Sequence, residues 1–132
     1  MKSRTVLDAK RLGITGCRSS DPLEKIAIRI ADDDISALVV TNSAGYLEGI
    51  ISRSDLLRAY VEAEDWRTRP VADYMTRHVV TVAADTPLTD AAELLLGKHI
   101  HRVVVVRRED NGLRPIAVVS DSDLVCDMVR DR

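Results

Sequence analysis

The sequence predicts an α/β (α+β) fold in which two β-α-β-β-α repeats, related by a pseudo-two-fold axis, pack their sheets together and keep their helices outside. The first observation behind this is a stretch written twice, Gly49-Ile50-Ile51-Ser52-Arg53-Ser54-Asp55-Leu56 and Ala117-Val118-Val119-Ser120-Asp121-Ser122-Asp123-Leu124. In each copy an apolar run of strand character meets a Ser-x-Ser-Asp turn, and a helix-patterned segment follows. The second observation is register. Val6 and Val71, Asp8 and Asp73, Pro22 and Pro87, Leu23 and Leu88, Ala27 and Ala92, and Ile35 and Ile100 all lie 65 positions apart, while Ser52 and Ser120, Asp55 and Asp123, and Leu56 and Leu124 lie 68 apart. The third is where the register changes. The shift falls in a hairpin turn, Arg107 to Arg114, and loops absorb insertions where cores do not.

Taken in order, residues 5 to 12 read as a short helix, and Gly13 leads to a strand over Ile14 to Arg18. Ser19-Ser20-Asp21-Pro22 signals a helix start, with Pro22 at the first helical position, Asp21 as cap and Glu24 three residues after it. Leu23, Ile26, Ala27 and Ile30 then share one buried face. Asp32-Asp33-Asp34 is a solvated helix end, disfavoured by the dipole and suited to limiting the helix. Ile35 to Thr41 is a strand, Asn42 to Gly45 a turn, and Tyr46 to Ser52 the returning strand of a hairpin. A helix follows from Arg53 to Ala63 with Leu56, Leu57, Tyr60 and Val61 facing inward. Glu64 to Arg69 is a charged connector carrying Trp66, after which the same signals return. The repeats therefore divide as 1–65, with the N-terminal helix, and 66–132. Neither, at about 60 residues, buries its apolar strands well alone, and two copies covering one another would. Clefts would then lie between the copies.

Composition excludes several function classes. The 132 residues are 45% hydrophobic and 30% charged, with 3% aromatic residues and no Phe, so the core is built from Val, Ile, Leu and Ala, and stacking platforms for single-stranded nucleic acid are not expected. The net charge of −2 hides no long block of one sign, which argues against nucleic acid and anionic membranes as partners. No apolar run is long enough to span a bilayer, and Met1-Lys2-Ser3-Arg4 enters Thr5-Val6-Leu7-Asp8 without a signal-peptide hydrophobic region, so a cytoplasmic location is expected. Cys17 and Cys126 lack C-x-x-C spacing and read as buried thiols. His99-x-His101 straddles a helix-to-strand boundary that scatters the two rings, so no metal site is expected. G-x-S-x-G is absent and neither cysteine stands in a nucleophile setting, so the chain is not expected to be an enzyme.

The duplicated junction carries the remaining chemistry. A helix N-terminus offers bare N–H groups and the positive end of its dipole to an anion, and a serine hydroxyl beside it adds a donor. The same Ser-x-x-Asp spacing also describes a capping box, in which serine caps the helix and the carboxylate favours its dipole. The residues alone leave both readings open.

Val71-Ala72-Asp73-Tyr74-Met75-Thr76 before the second copy, Thr86-Pro87-Leu88 opening its first long helix, and the signature G-h-h-[ST]-x-x-D at both junctions together resemble a tandem pair of cystathionine-β-synthase-type (CBS) domains, a Bateman module, over Val6 to Val129. The resemblance implies a small-molecule-sensing regulatory module that binds an adenine nucleotide or adenosyl ligand in the clefts between its repeats. AMP, ADP or ATP is the favoured class, ahead of NAD or S-adenosylmethionine, and no cofactor is required. It implies that Asp55 and Asp123 accept from ribose hydroxyls, that Ser52 and Ser120 contact phosphate with Arg53 beside them, and that Thr15, Val80, Ile35 and Ile100 frame the adenine. Ile100-His101-Arg102 is similar to the His-Arg pair at the same strand entry in γ subunits of AMP-activated protein kinase, which implies that His101 and Arg102 meet phosphate. The second signature departs from the pattern: Ala117 replaces the glycine and would crowd a ligand, and Asp121 stands where the first copy has Arg53 and would repel phosphate. One strong site and one weak or empty site are expected. The resemblance further implies a homodimer, a flat four-repeat disc, with Leu56, Leu57, Leu124 and Val125 as contact faces, and an unidentified regulated protein for energy sensing. The competing reading is a ligand-free interaction and dimerisation module with degenerate clefts.

Overall fold

Two β-branched runs form the middle strands of two three-stranded sheets. In the computed structural model, which describes residues 4–10 and 12–130, the chain runs α1 (Val6–Ala9), β1 (Gly16–Cys17), α2 (Leu23–Asp33), β2 (Ala37–Thr41), β3 (Leu47–Ser52) and α3 (Arg53–Glu62), passes short 3₁₀ turns at Trp66–Thr68 and Val71–Asp73, and continues as β4 (Thr81–Ala83), α4 (Leu88–Lys98), β5 (Arg102–Glu109), β6 (Gly112–Ser120) and α5 (Asp121–Met128). The leader reading at Met1 to Ser3, and Arg11 of the first predicted helix, lie outside the described residues.

Both sheets have one topology. β1 runs parallel to β2 across the α2 crossover, and β2 pairs antiparallel with β3; β4, β5 and β6 repeat the arrangement around α4. Each hairpin carries an irregularity at the same place, between Val40 and Thr41 and between Val105 and Val106. A bulge there suits Pro115, which has no N–H to give a ladder. The extra residues of the second hairpin lengthen its strands rather than its loop. Pairing continues out to Glu109 opposite Gly112, correcting the expectation of a longer turn.

The chain packs as two units, Thr15–Val79 and Met1–Ile14 with Val80–Arg132. The division therefore differs from the 1–65 and 66–132 repeats, because each repeat's leader packs with the other repeat's sheet. Val71 is fully buried with Leu23, Ile26, Leu38 and Ile51 in the first unit, and the segment after it makes a reciprocal pair, Ile50 N–H to Thr76 O at 2.9 Å and Thr76 N–H to Ile50 O at 2.8 Å. Val6 is fully buried with Ala91, Val103, Val105, Ala117 and Val119 in the second unit, and Gly13 N–H donates to Ile116 O at 2.8 Å. The 65-residue spacing of Val6 and Val71 thus marks one structural role filled twice.

Two helix expectations are corrected. Asp21 does not cap α2: Pro22 occupies the cap position, and the Asp21 carboxylate accepts from Arg18 N–H at 2.9 Å in the preceding turn. On α3, Leu57, Tyr60 and Val61 are exposed, and the buried stripe is Asp55, Ala59 and Ala63 at i, i+4 and i+8. Small residues let the helix lie close to its sheet, and the capping box turns Asp55 inward. Tyr60 instead meets the half-buried Trp66 edge-on, ring centres 6.2 Å apart. α2 and α4 end alike, on left-handed Asp34 and His99, with Ile35 N–H and Ile100 N–H turned back to Ile30 O and Leu95 O.

Candidate functional site

Both signatures sit where an antiparallel hairpin hands the chain to a helix. β3 ends with Ser52 opposite Ala37, and β6 ends with Ser120 opposite Arg102. Each serine has extended backbone and caps its helix in a capping box whose carboxylate comes three residues later.

In the first unit Asp55 is 5% exposed and both its oxygens have partners. Oδ2 accepts from Ser52 N–H at 2.8 Å and from the Ser52 hydroxyl at 3.0 Å, and Oδ1 lies 3.4 Å from Arg58 Nη1. Arg58 is itself fixed by a bond to Tyr74 O at 3.0 Å and lies over the Tyr74 ring. Arg53 N–H donates to Ser36 O at 3.1 Å, while its exposed guanidinium lies 3.5 Å from the solvated Asp34. A pair this exposed contributes little, so the guanidinium is available to a ligand.

The second unit holds more charge at the same junction. Asp123 Oδ2 accepts from Ser120 N–H at 2.8 Å and lies 3.4 Å from Lys10 Nζ. Asp121 Oδ1 accepts from Ser122 N–H at 2.7 Å, and its Oδ2 lies 3.1 Å from His101 Nδ1. The bond to His101 holds the Asp121 carboxyl below its ordinary range, with the Ser122 N–H and the charge of Arg102 acting in the same direction. Arg102 stands across the hairpin from Ser120, on the face opposite the core residues Val103 and Val105.

The structure thus brings His101, Arg102, Ser120 and Asp123 together in one unit, and Ser52, Arg53 and Asp55 in the other. The four framing positions lie at strand entries and just past helix ends. Thr15 O and Val80 O accept from Val39 N–H and Val104 N–H, each at 3.1 Å, and Ile35 and Ile100 pack against their own cores with their N–H groups closing the helix ends. Those backbone groups are committed to the fold. The Ala117 methyl is also fully buried in the core.

Sequence reasoning missed Lys10, Arg58 and a second buried carboxylate, Asp127, which Arg4 grips through Nε at 3.1 Å and Nη2 at 2.7 Å while Arg130 lies at 3.4 Å. The i, i+3 spacings of Asp55 to Arg58 and Asp127 to Arg130 were a usable signal; nothing local links Lys10 to Asp123.

The cysteines differ from one another. Cys126 is exposed, against expectation, and Cys17 is buried. Burial, and next the charge of Asp21, pushes the Cys17 thiol up to about 11, so it is protonated and inert at neutral pH. A thiol whose pKa is raised on folding contributes stability below its unfolded value, and that contribution is lost as pH rises towards the folded value. Wild type is therefore expected to lose stability relative to Cys17→Ala by up to about 1.4 kcal/mol per pH unit between pH ~9 and ~11. Urea unfolding of the two proteins across that range checks it, and parallel slopes would overturn it.

The CBS domain family model matches residues 13–62 and 71–129. The uncharacterised protein MK0525 of Methanopyrus kandleri is 30% identical over 89% of this chain. The chain spans between 24% and 59% of the length of the curated relatives it matches, 58% in that case. Among solved structures, CBSX2 in complex with AMP superposes with a TM-score of 0.83 at 23% identity, covering 97% of this chain and 98% of that one. The CBS domain pair of MJ0100, in complex with 5′-methylthioadenosine and S-adenosyl-L-methionine, gives 0.82 at 22% identity, covering 99% and 100%.

Proposed function

The chain belongs to the CBS domain family, both repeats included, and on that premise we propose that it is a regulatory module that senses an adenine nucleotide or adenosyl ligand rather than an enzyme. One observation carries the reading: a capped helix start is built twice, and each has cationic side chains beside it, Arg53 at α3 and Arg102 with Lys10 at α5. The CBSX2 structure in complex with AMP and the MJ0100 structure in complex with 5′-methylthioadenosine and S-adenosyl-L-methionine support the class.

In this reading Ser52, Arg53 and Asp55 hold the ribose and phosphate of a nucleotide. Asp55 Oδ1, which meets Arg58 Nη1 at 3.4 Å, has a second lone pair with which to accept a ribose hydroxyl. Binding biases the module between two arrangements by the difference in affinity for them, and the signal passes to a regulated protein or to a homodimer whose faces include the exposed Leu57 and Val125. Leu124 of the expected contact face is buried in its own unit and Leu56 is partly buried, so neither is free to lead such a contact. No helix among the described residues is long and apolar enough to cross a membrane; cytoplasmic action belongs to the same proposal.

The competing reading, a ligand-free interaction module, is favoured by the internal engagement of Asp55. Calorimetric and thermal-shift titrations with AMP, ADP, ATP, NAD and S-adenosylmethionine separate the two. At a hundredfold excess over Kd, binding raises stability by about 2.7 kcal/mol, and the absence of any response at millimolar ligand would overturn the sensor reading.

A further inference from the structure

The two helix starts differ in sign. α3 carries one acidic residue in its first turn, Asp55, with Arg53 ahead of it; α5 carries Asp121 and Asp123 in the same two places. A ligand phosphate at α5 would seek the helix-start N–H groups, the His101 imidazole and the nearby cations. The protein's own carboxylates already engage four members of that set, the Ser120 and Ser122 N–H groups, His101 and Lys10. Asp121 takes Ser122 N–H at 2.7 Å and faces His101 Nδ1 at 3.1 Å, and Asp123 takes Ser120 N–H at 2.8 Å and pairs with Lys10 at 3.4 Å. Asp123 has a counterpart in Asp55, so its role is the cap common to both helices. Asp121 has none, and its two bonds replace those a phosphate oxygen would make.

Resting on the adenosyl reading above, we propose that Asp121 is a built-in stand-in for a ligand phosphate, making the β6–α5 half of the module selective for adenosyl ligands whose 5′ substituent bears no negative charge. Phosphorylated nucleotides are left to the β3–α3 half, where Arg53 replaces the carboxylate. A neutral 5′ group leaves the Asp121–His101 pair intact. A phosphate must displace the carboxylate from its donors while remaining beside its charge, and like charges at such distances repel.

The test compares wild type with Asp121→Asn and with Asp121→Ala, the second guarding against an amide that fills the same place. Wild type is expected to bind a single AMP per chain, and both variants a second, with 5′-methylthioadenosine affinity changed by less than about threefold. Inorganic phosphate, followed through the Ser122 amide by NMR, supplies a readout independent of adenosine. That amide is expected to stay silent in wild type and to respond in both variants. A second AMP bound by wild type, or variants that gain neither AMP nor a phosphate response, would overturn the role of Asp121. Variants that gain the phosphate response while no adenosine compound binds any of the proteins would retain that role and overturn the adenosyl reading instead.

Discussion

Gly49→Ala is expected to destabilise the protein by about 2–3 kcal/mol, at the upper end of what overpacking one methyl group costs. A Cβ at that position would stand 2.6 Å from Thr76 O and 3.2 Å from Met75 Sδ. The sulfur belongs to a flexible side chain and can move. The carbonyl cannot, because Thr76 is clamped to Ile50 by the reciprocal pair at 2.9 and 2.8 Å. Relieving the clash means giving up those bonds or shifting β3 two residues ahead of Ile51, whose side chain is fully buried. The second repeat provides the control. Ala117 occupies the matching place with its methyl buried in the core, so Ala117→Gly is expected to cost about 1 kcal/mol, from the lost methyl and added backbone freedom. Urea unfolding of both variants checks the contrast. A Gly49→Ala loss under about 0.5 kcal/mol would mean that the Met75–Thr76 segment yields freely.

The same pair of residues shows what was legible in the sequence. The duplicated signature gave the repeat, and from the repeat came the sheet topology, since strand, helix, strand, strand, helix leaves few ways to pair. The i, i+3, i+4 pattern placed Leu23, Ile26 and Ile30 of α2 in the core, where they are buried. On α3 the same rule failed because it ranked residues by hydrophobicity. Leu57, Tyr60 and Val61 outrank Asp55, Ala59 and Ala63 on any such scale, yet close approach of helix to sheet and a cap turned inward decided the face. The exchange of leaders was not legible either. A 65-residue period says that Val6 and Val71 are equivalent without saying which sheet each one covers, and that choice rests on long-range packing. The glycine at position 49 read as part of a ligand signature, whereas the structure assigns it to the approach of Thr76. The His101–Asp121 pair, by contrast, is legible: a hairpin that sets Arg102 opposite Ser120 brings the residues on either side together.

Asp55→Ala is expected to cost about 2–3 kcal/mol, well above Asp123→Ala at about 1 kcal/mol. Both substitutions remove a capping carboxylate, so a cap alone predicts equal losses. Burial breaks the tie. The Asp55 side chain is 8% exposed and that of Asp123 22%, so Ser52 N–H is left without a partner where water reaches poorly, while Ser120 N–H is closer to solvent. Arg58 also loses one of its anchors, though at 49% exposure it is readily solvated and adds little to the cost. Ligand binding should divide along the same line for a different reason. Arg53 favours phosphate beside Asp55 and Asp121 opposes it beside Asp123, so Asp55→Ala is expected to weaken AMP binding by at least about tenfold, or 1.4 kcal/mol, and Asp123→Ala by less than about threefold. Calorimetry below the unfolding transition of the weaker variant separates loss of affinity from loss of fold. If the two variants lose AMP affinity equally while differing in stability, the sites are equivalent for nucleotide and the charge at positions 53 and 121 does not set their preference.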